Sequence, residues 1–368
     1  MDILNWFYSN LPKSRDYSPR KLNLPKDLSF NLIGARGVGK SALIIDYCSK
    51  LPKDSYLYID CQDPNFILED LDVYDLEDFI KENKIDTLIL DHYFDGFLEY
   101  MPKIKRVIVI SRKESVNLDS FRLYNLDFEE FINFTKSSSI GSSFSSYTKL
   151  GSLPGVAKDS SSLFANRELF FEKFDTQEGK VLLILALFHG KVVTAHQIFQ
   201  FSKEYFKISK DWLYKTIKEF QKEGIIYQIP TKDRGFGKKL FLYDFSFAKY
   251  LNKNLTYISI FDSIVALALI KHGIEAKAII APTSYLIEDG VLLIIAPFDS
   301  EENFWSKTQK NFSFYSNLKV KDVIIITNSS SYSFEINKIK FNALPFYEWV
   351  VGLWLLYKPR IYKNILGL

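Results

Sequence analysis

The first third of the chain alternates short apolar runs with amphipathic segments, which predicts a parallel sheet covered by helices on both faces. The apolar runs predict strands at 28–33, 55–60, 87–90 and 106–110. The amphipathic segments between them predict helices at 41–49, 75–83 and 94–101. The run 107–110 contains only valine and isoleucine, which is typical of a central strand buried on both sides.

Serine dominates the segment 137–146, and a second serine run occupies 160–162. Such composition predicts a mobile linker or loop. We therefore predict a first domain over 1–135, followed by a lid and serine-rich linker over 136–176.

Residues 177–250 follow a different pattern, in which helices precede strands. The predicted elements are a helix at 179–189, a short helix beginning at Thr194, a helix from Ser209 to about 222, and strands at 225–229 and 239–243. Thr194 and Gln197 have the T-x-x-Q form of a capping box, and Gly224 ends the third helix. Three helices followed by a two-stranded wing predict a winged helix-turn-helix domain.

Residues 251–368 predict a further α/β domain. The predicted elements are a helix at 261–272, strands at 276–281, 284–288 and 291–296, a helix at 302–317, strands at 323–327 and 334–341, and a last helix after Pro345. Asp289 and Gly290 predict a hairpin turn. The order αβββαβ is typical of a restriction-endonuclease-like core.

The most specific motif of the chain begins where the strand at 28–33 ends. Residues 34–41 match G-x-x-x-x-G-K-[ST], the phosphate-binding loop of nucleoside triphosphatases, and a chance match is disfavoured because a strand and a helix flank it. Lys40 would reach the β- and γ-phosphates, and the Ser41 hydroxyl would bind Mg²⁺. The predicted nucleotide-binding residues of this loop are Gly34, Ala35, Arg36, Gly37, Val38, Gly39, Lys40, Ser41 and Ala42.

The strand at 87–90 carries Asp91 at its end and fits a Walker B motif, in which Asp91 would hold the hydration shell of Mg²⁺. His92 stands where many ATPases of this kind have the Glu that polarises the attacking water. A neutral imidazole can orient water but is a different base, with a reference pKa of about 6.5. Asp60 and Asp95 are alternative water-orienting groups.

The strand at 106–110 is followed by Ser111 and Arg112. A polar residue at this strand end could sense the γ-phosphate, and Arg112 could stabilise its charge. The alternative is an ordinary solvated strand end.

The chain of 368 residues has a net charge of only +3, but its charges are unevenly distributed. The segment 60–100 has thirteen acidic residues against two lysines, whereas 203–250 has eleven Lys and Arg against six Asp and Glu. Such asymmetry indicates either a nucleic-acid contact or contacts between the protein's own domains. With two cysteines, no signal-peptide pattern and no apolar run of membrane-spanning length, we expect a cytoplasmic protein.

Two further segments resemble motifs of a known family. Residues 123–131, LYNLDFEEF, resemble the L-x-P-L-S-F-x-E-F segment of bacterial and archaeal AAA-type ATPases that lie near the signal-transduction ATPases with numerous domains. Residues 150–156, which include Pro154, resemble the lid element G-G-x-P of that family. The resemblance covers nearly the whole chain and implies an AAA-type ATPase core, a lid, a winged helix and a PD-(D/E)XK nuclease-like domain. It also implies that Pro154 contacts the nucleotide.

The nuclease-like segment departs most from that family. The metal site of this fold needs a carboxylate on the second strand and E-x-K on the third, and neither 284–287 nor 294–298 supplies them. The carboxylates that remain are Asp262, Glu288 and Asp289. We therefore predict a nuclease fold without nuclease activity.

These features favour a switch that binds ATP and Mg²⁺ and couples hydrolysis, slowed by His92, to movement of the winged helix. The alternative is a DNA-binding regulator in which ATP is structural and hydrolysis negligible. The basic residues available to duplex DNA are Lys215, Lys218, Lys222, Lys232, Arg234, Lys238 and Lys239. Lysines on a helix face are also typical of a solvated surface or of a packing module, so duplex DNA, a second copy of the chain and another protein all remain open as partners.

Overall fold

The computed structural model describes residues 3–13, 17–68, 70–137, 139–158, 162–233, 235, 237–287 and 290–352. These residues form two compact units. The first unit comprises the chain up to Leu126 together with Leu153–Gly155 and Glu219–Ile225, and the second comprises the remainder. The division into four domains stays a prediction.

The first unit has an α/β architecture. Its helices are α1 (Ile3–Ser9), α2 (Lys40–Cys48) and α3 (Val73–Glu82). Its strands are β1 (Phe30–Ile33), β2 (Tyr56–Asp60), β3 (Thr87–Asp91), β4 (Arg106–Ile110) and β5 (Ser120–Arg122). All strand pairs are parallel, in the order β2-β3-β4-β1-β5, so the predicted parallel sheet is confirmed.

Strands β1, β3 and β4 are buried along their whole length, as expected for apolar strands in the middle of a parallel sheet. One face of the sheet forms a core with α1 and α3, in which Leu88, Leu90 and Val109 are fully buried. Because all the strands are parallel, their carboxyl ends share one edge of the sheet, and the candidate site lies at this edge.

The helix predicted at 94–101 was wrong, because the structure has only turns and bends there. Gly96 adopts a φ of 91°, which a right-handed helix does not allow. Phe97 instead packs edge-on against Phe66 at 5.1 Å, so aromatic packing holds this segment without a helix.

The second unit begins with helices that include the serine-rich segment. They are α4 (Phe128–Thr135), α5 (Ile140–Leu150), α6 (Pro154–Lys158, whose first two residues belong to the first unit) and α7 (Ser162–Lys173). The loop predicted at 137–146 was thus largely wrong. Phe144 and Tyr147 are buried three residues apart on α5. The Ser143 hydroxyl donates a hydrogen bond to the carbonyl oxygen of Ser139 at 2.6 Å. Packing therefore overrides the composition.

A small helical and antiparallel section follows. Its elements are α8 (Thr176–Leu187), β6 (Val192–Val193), α9 (Ala195–Ser202), α10 (Lys210–Glu223, whose residues from Glu219 onward belong to the first unit), β7 (Ile226–Pro230), β8 (Lys238–Leu242) and α11 (Phe245–Leu251). The strands form a sheet in the order β6-β8-β7. Thr194 and Gln197 form the predicted capping box at the start of α9, and Gly224 follows α10 with a φ of 76°.

The rest of the second unit contains a six-stranded sheet. Its elements are α12 (Tyr257–Lys271), β9 (Ala276–Ile279), β10 (Ser284–Ile287), β11 (Val291–Ile295), α13 (Glu301–Lys310), α14 (Phe312–Leu318), β12 (Asp322–Thr327), β13 (Tyr332–Ile336) and β14 (Ile339–Pro345). The strand order is β13-β14-β12-β11-β10-β9, in which β11, β12 and β14 are parallel neighbours.

The single strand predicted at 334–341 was wrong, because this segment crosses the hairpin between β13 and β14. Asn337 and Lys338 form the turn with φ values of 50° and 68°, as a two-residue type I′ turn requires. The predicted last helix begins at residue 346, and its continuation past 352 lies outside the described residues. None of the described helices is long and apolar enough to cross a membrane.

Candidate functional site

The glycine-rich loop between β1 and α2 has a backbone that only glycine can adopt at key positions. Gly34 has a φ of 154°, and a Cβ added there would lie 2.4 Å from the carbonyl oxygen of Leu123. Gly37 and Gly39 have φ values of 84° and 92°. The glycine spacing of the motif is therefore a steric requirement of the loop.

The start of α2 presents free N–H groups beside this loop. The first bond of the helical ladder runs from the Leu43 N–H to the carbonyl oxygen of Gly39 at 3.0 Å. The N–H groups of Lys40, Ser41 and Ala42 thus precede the ladder and have no acceptor within the helix. Such a helix start is a binding site for an anion, and phosphate is the anion that the loop motif predicts.

Lys40 lies across the loop, with its Nζ donating to the carbonyl oxygens of Gly34 at 2.7 Å and Ala35 at 3.0 Å. Desolvation lowers the pKa of Lys40 to about 8, and Asp91 opposes this shift. The nearby positive charge of Arg112 lowers the pKa further, so the structure brings Arg112, an exposed side chain, into the electrostatic neighbourhood of Lys40.

Asp91 ends β3 and is buried, while Asp60 ends the neighbouring strand β2 at the same register. The Tyr58 hydroxyl donates to Asp91 Oδ2, and the backbone N–H of His92 donates to Asp91 Oδ1 at 2.8 Å. Parallel strands thus align two carboxylates at one sheet edge, and carboxylate oxygens are ligands that suit Mg²⁺.

His92 has a left-handed φ of 55°, and its Nδ1 lies 2.9 Å from Asp60 Oδ1. The hydrogen bond with Asp60 is the main cause that raises the pKa of His92, against the effect of burial. Because a carboxylate can only accept, Nδ1 carries the proton in this contact, which leaves Nε2 as the acceptor of a neutral ring. Asp95, the other predicted alternative, is exposed.

Ser111 follows β4 and is buried, with its hydroxyl 3.0 Å from Asn31 Oδ1 and 2.5 Å from the carbonyl oxygen of Lys113. The Asn31 Nδ2 is buried without a partner in the described part of the chain. Exchanging the amide oxygen and nitrogen of Asn31 would let Nδ2 donate to Ser111, whose hydroxyl then donates to Lys113. We assign Asn31 in that orientation.

The sequence did not predict two side-chain contacts of the loop, which are made by Arg20 and by Arg36. The Arg20 guanidinium donates to the carbonyl oxygens of Val38 at 2.9 Å and Tyr124 at 2.7 Å. Arg36 is buried and pairs with Glu223, with 3.1 Å between Nε and Oε2. No sequence signal indicates these pairs, since Arg36 and Glu223 are 187 residues apart.

Pro154, which the family resemblance predicts to contact the nucleotide, lies beside the loop. Its Cγ would be 3.6 Å from a Cβ placed on Gly39. The loop residues Ala35 and Val38 are buried, so they shape the loop rather than offering side chains to a ligand.

The donor set fits ATP with Mg²⁺. Gly34 would allow the phosphates to approach the backbone closely, Lys40 would supply a cation, and Ser41 and Asp91 would supply hard oxygen ligands. No group of three or more His, Cys, Asp or Glu side chains in the described residues could hold a metal ion by itself. A magnesium ion here would thus share its ligands with phosphate and water, as is usual for this ion.

The predicted DNA-contacting residues differ in exposure. Lys215, Lys218, Lys222, Lys232 and Lys238 are exposed, and Arg234 lies outside the described residues. Lys239 contradicts its prediction, because it is buried. Its Nζ is 2.7 Å from Asp262 Oδ2 and donates to the Tyr285 hydroxyl at 3.1 Å.

The same cluster bears on the nuclease-like segment. Asp262 is buried and accepts a hydrogen bond from Tyr285, so it faces a lysine and a phenol rather than solvent. Strands β10 and β11 contain no carboxylate, and Glu288 and Asp289 lie outside the described residues. The absence of nuclease activity stays a prediction.

Comparison with known proteins yields distant similarities. No model of a protein family matches the chain, and no curated protein matches it. A Walker-type ATPase of Pyrococcus abyssi is similar, with 12% identity, a TM-score of 0.40, and 61% of this chain and 91% of the other covered. The ORC1 protein of Aeropyrum pernix, in complex with DNA, has 12% identity, a TM-score of 0.31, and coverage of 62% and 87%. Similarity at this level carries no functional conclusion, so function rests on the geometry of the site.

Proposed function

We propose that this chain is an AAA-type P-loop ATPase that binds ATP with Mg²⁺ and acts as a nucleotide-dependent switch. The observation that carries this proposal is the start of α2, where the N–H groups of residues 40–42 face no helical acceptor beside a loop that requires glycine. The sheet order supports it, because β4 lies between β1 and β3 and thus separates the loop from Asp91 by one strand.

The residues of the site have distinct roles in this proposal. The N–H groups at the start of α2 and the ammonium of Lys40 bind the phosphates. Ser41 and Asp91 would hold Mg²⁺, which would neutralise phosphate charge. Arg112 stabilises charge on the γ-phosphate, and Pro154 contacts the nucleotide from the lid side of the loop.

His92 orients the attacking water in place of the usual Glu. Its Nε2 is left as an acceptor because Asp60 holds Nδ1 at 2.9 Å. A neutral imidazole is a less polarising group than a carboxylate, so we propose slow hydrolysis.

ATP turnover and ATP binding by the purified chain test this function. Replacement of Lys40 by Ala is expected to lower turnover on the order of a hundredfold, as for loss of a phosphate-binding charge. Lys50→Ala is the matched control, because Lys50 is an exposed lysine just after α2 that pairs only at the surface with Asp46. Unchanged ATP binding and turnover in Lys40→Ala would refute the proposal.

A second candidate function is a DNA-binding regulator with structural ATP. The exposed lysines at positions 215 and 218 of α10 favour it, because α10 lies in a winged-helix-like order of three helices and a three-stranded sheet. We expect replacement of Lys215, Lys218 and Lys222 by Ala to make duplex DNA binding less dependent on salt. The slope of the logarithm of the binding constant against the logarithm of the salt concentration should fall in magnitude by about 1 for each lysine replaced.

The control for that experiment is a chain with Lys310→Ala and Lys321→Ala, which removes exposed lysines far along the sequence. DNA binding that does not respond to salt, or that the control reduces equally, would exclude this second function.

A further inference from the structure

The last turn of α10 belongs to the first unit and is held there by polar contacts. These contacts join Arg36 Nε to Glu223 Oε2 at 3.1 Å, Lys113 Nζ to Glu219 Oε2 at 2.5 Å, and the Arg122 guanidinium to the carbonyl oxygen of Lys222 at 2.9 Å. The Arg36–Glu223 pair is the buried one, with side-chain exposures of 4% and 10%. A buried pair of this kind is costly to separate, because either charge left alone is strongly disfavoured.

The buried pair is electrostatically coupled to the phosphate-binding lysine. Arg36 lies in the glycine-rich loop, four residues before Lys40. The charge of Glu223 raises the pKa of Lys40, and the charge of Arg36 lowers it. A triphosphate bound at Lys40 would therefore attract Arg36 and repel Glu223, and both effects are strong where solvent is largely excluded.

We propose that the Arg36–Glu223 pair is a latch, in which the last turn of α10 and the triphosphate compete for Arg36. The inference rests on the nucleotide site proposed above. When a triphosphate recruits Arg36, Glu223 loses its partner beside an anion, and the turn leaves its position. The preceding part of α10, through Lys218, belongs to the second unit, so release of the turn is transmitted along one continuous helix.

The first test measures ATP affinity by calorimetry in wild-type chain and in Glu223→Gln. Gln keeps the shape of Glu but removes the charge, so we expect ATP to bind about tenfold more tightly, within the usual range of coupling between two sites. Asp211→Asn is the matched control, because Asp211 is an exposed acid in the first turn of the same helix, and its affinity should equal wild type. Equal or weaker binding by Glu223→Gln would overturn the latch.

A second test follows hydrogen exchange of the wild-type chain and needs no variant. The amides of Gly224 and Ile225 bond to the carbonyl oxygens of Gln221 and Phe220, so their protection reports the turn. We expect ATP to increase their exchange several-fold, and unchanged protection at saturating ATP would overturn the latch. Failure of the proposed function is distinct, since wild type would then bind ATP no better than Lys40→Ala.

Discussion

Acidification is expected to destabilise the second unit through His189, which is 1% exposed. Its Nδ1 accepts a hydrogen bond from the Leu242 N–H at 3.1 Å, and its ring meets Phe241 edge-on at 5.6 Å. Burial, aided by the positive charge of Lys239, lowers the pKa of His189 to about 3. The folded chain therefore keeps this ring neutral at pH values where the unfolded chain binds a proton.

The sign and size of the effect follow from this difference. The pKa of His189 in the folded chain is below its unfolded value of about 6.5. The contribution of His189 to the free energy of unfolding is therefore fully present above pH 6.5 and is lost as the pH falls toward 3. Each pH unit within that window costs about 1.4 kcal/mol. Between pH 7 and pH 5 the unfolding free energy should thus fall by about 2 kcal/mol through this one group.

Urea denaturation at pH 7 and pH 5 measures this loss when wild type is compared with His189→Asn. The Asn amide oxygen can still accept from the Leu242 N–H but does not titrate, so the variant should lack the 2 kcal/mol component, to within about 0.5 kcal/mol. His196→Asn is the control, because His196 is an exposed histidine on α9 and should behave like wild type. A His189→Asn chain that loses as much stability as wild type would refute the reasoning.

Three further changes have defined outcomes. Gly34→Ala should abolish detectable ATP binding and lower the free energy of unfolding, measured by thermal unfolding, by about 1–3 kcal/mol. Gly96 also has a positive φ, but a Cβ added there would meet no atom within 4 Å. Gly96→Ala should therefore lower the free energy of unfolding by less and leave ATP binding intact. Lys239→Met should destabilise the chain by about 3–5 kcal/mol, and adding Asp262→Asn should recover most of that loss in the same denaturation assay; no recovery would contradict the buried ion pair. Thr194→Ala should cost about 1 kcal/mol by removing an N-cap, and a loss below measurement error would contradict the cap.

Local signals account for what the sequence predicted well. The loop at 34–41 is defined by glycines whose φ values no other residue adopts readily, so its sequence and its backbone carry the same information. The Thr194–Gln197 capping box likewise lies within four consecutive residues. The strand at 106–110 was predicted with its observed bounds, since a run of β-branched residues fits a strand buried on both faces.

Long-range packing accounts for what the sequence did not predict. The serine-rich segment became α5 because two aromatic side chains, Phe144 and Tyr147, are buried on it, and serine composition does not record that burial. Lys239 lies in a basic stretch, yet its partner Asp262 comes from α12. Its counterion could not be inferred, because no local pattern relates the two positions.

The uneven charge of the sequence takes on a specific meaning in the structure. The basic stretch 203–250 contains six acidic residues, which a simple count sets against its eleven cations. Three of them have partners in the structure, because Glu223 pairs with Arg36, Glu219 pairs with Lys113 and Lys222, and Asp244 caps α11. Among the described residues of the stretch, Lys239 is buried in an ion pair with Asp262, an acid from outside the stretch. Arg36 and Lys113, which offset Glu223 and Glu219, come from outside the stretch, and freeing Glu223 by nucleotide would reduce the positive charge near the end of α10. We therefore expect the affinity of the chain for duplex DNA to fall when ATP binds. Duplex binding measured with and without ATP, in wild type and in Glu223→Gln, tests this expectation. The effect of ATP should vanish in Glu223→Gln, and an effect that persists in this variant would show that the charge of Glu223 does not cause it.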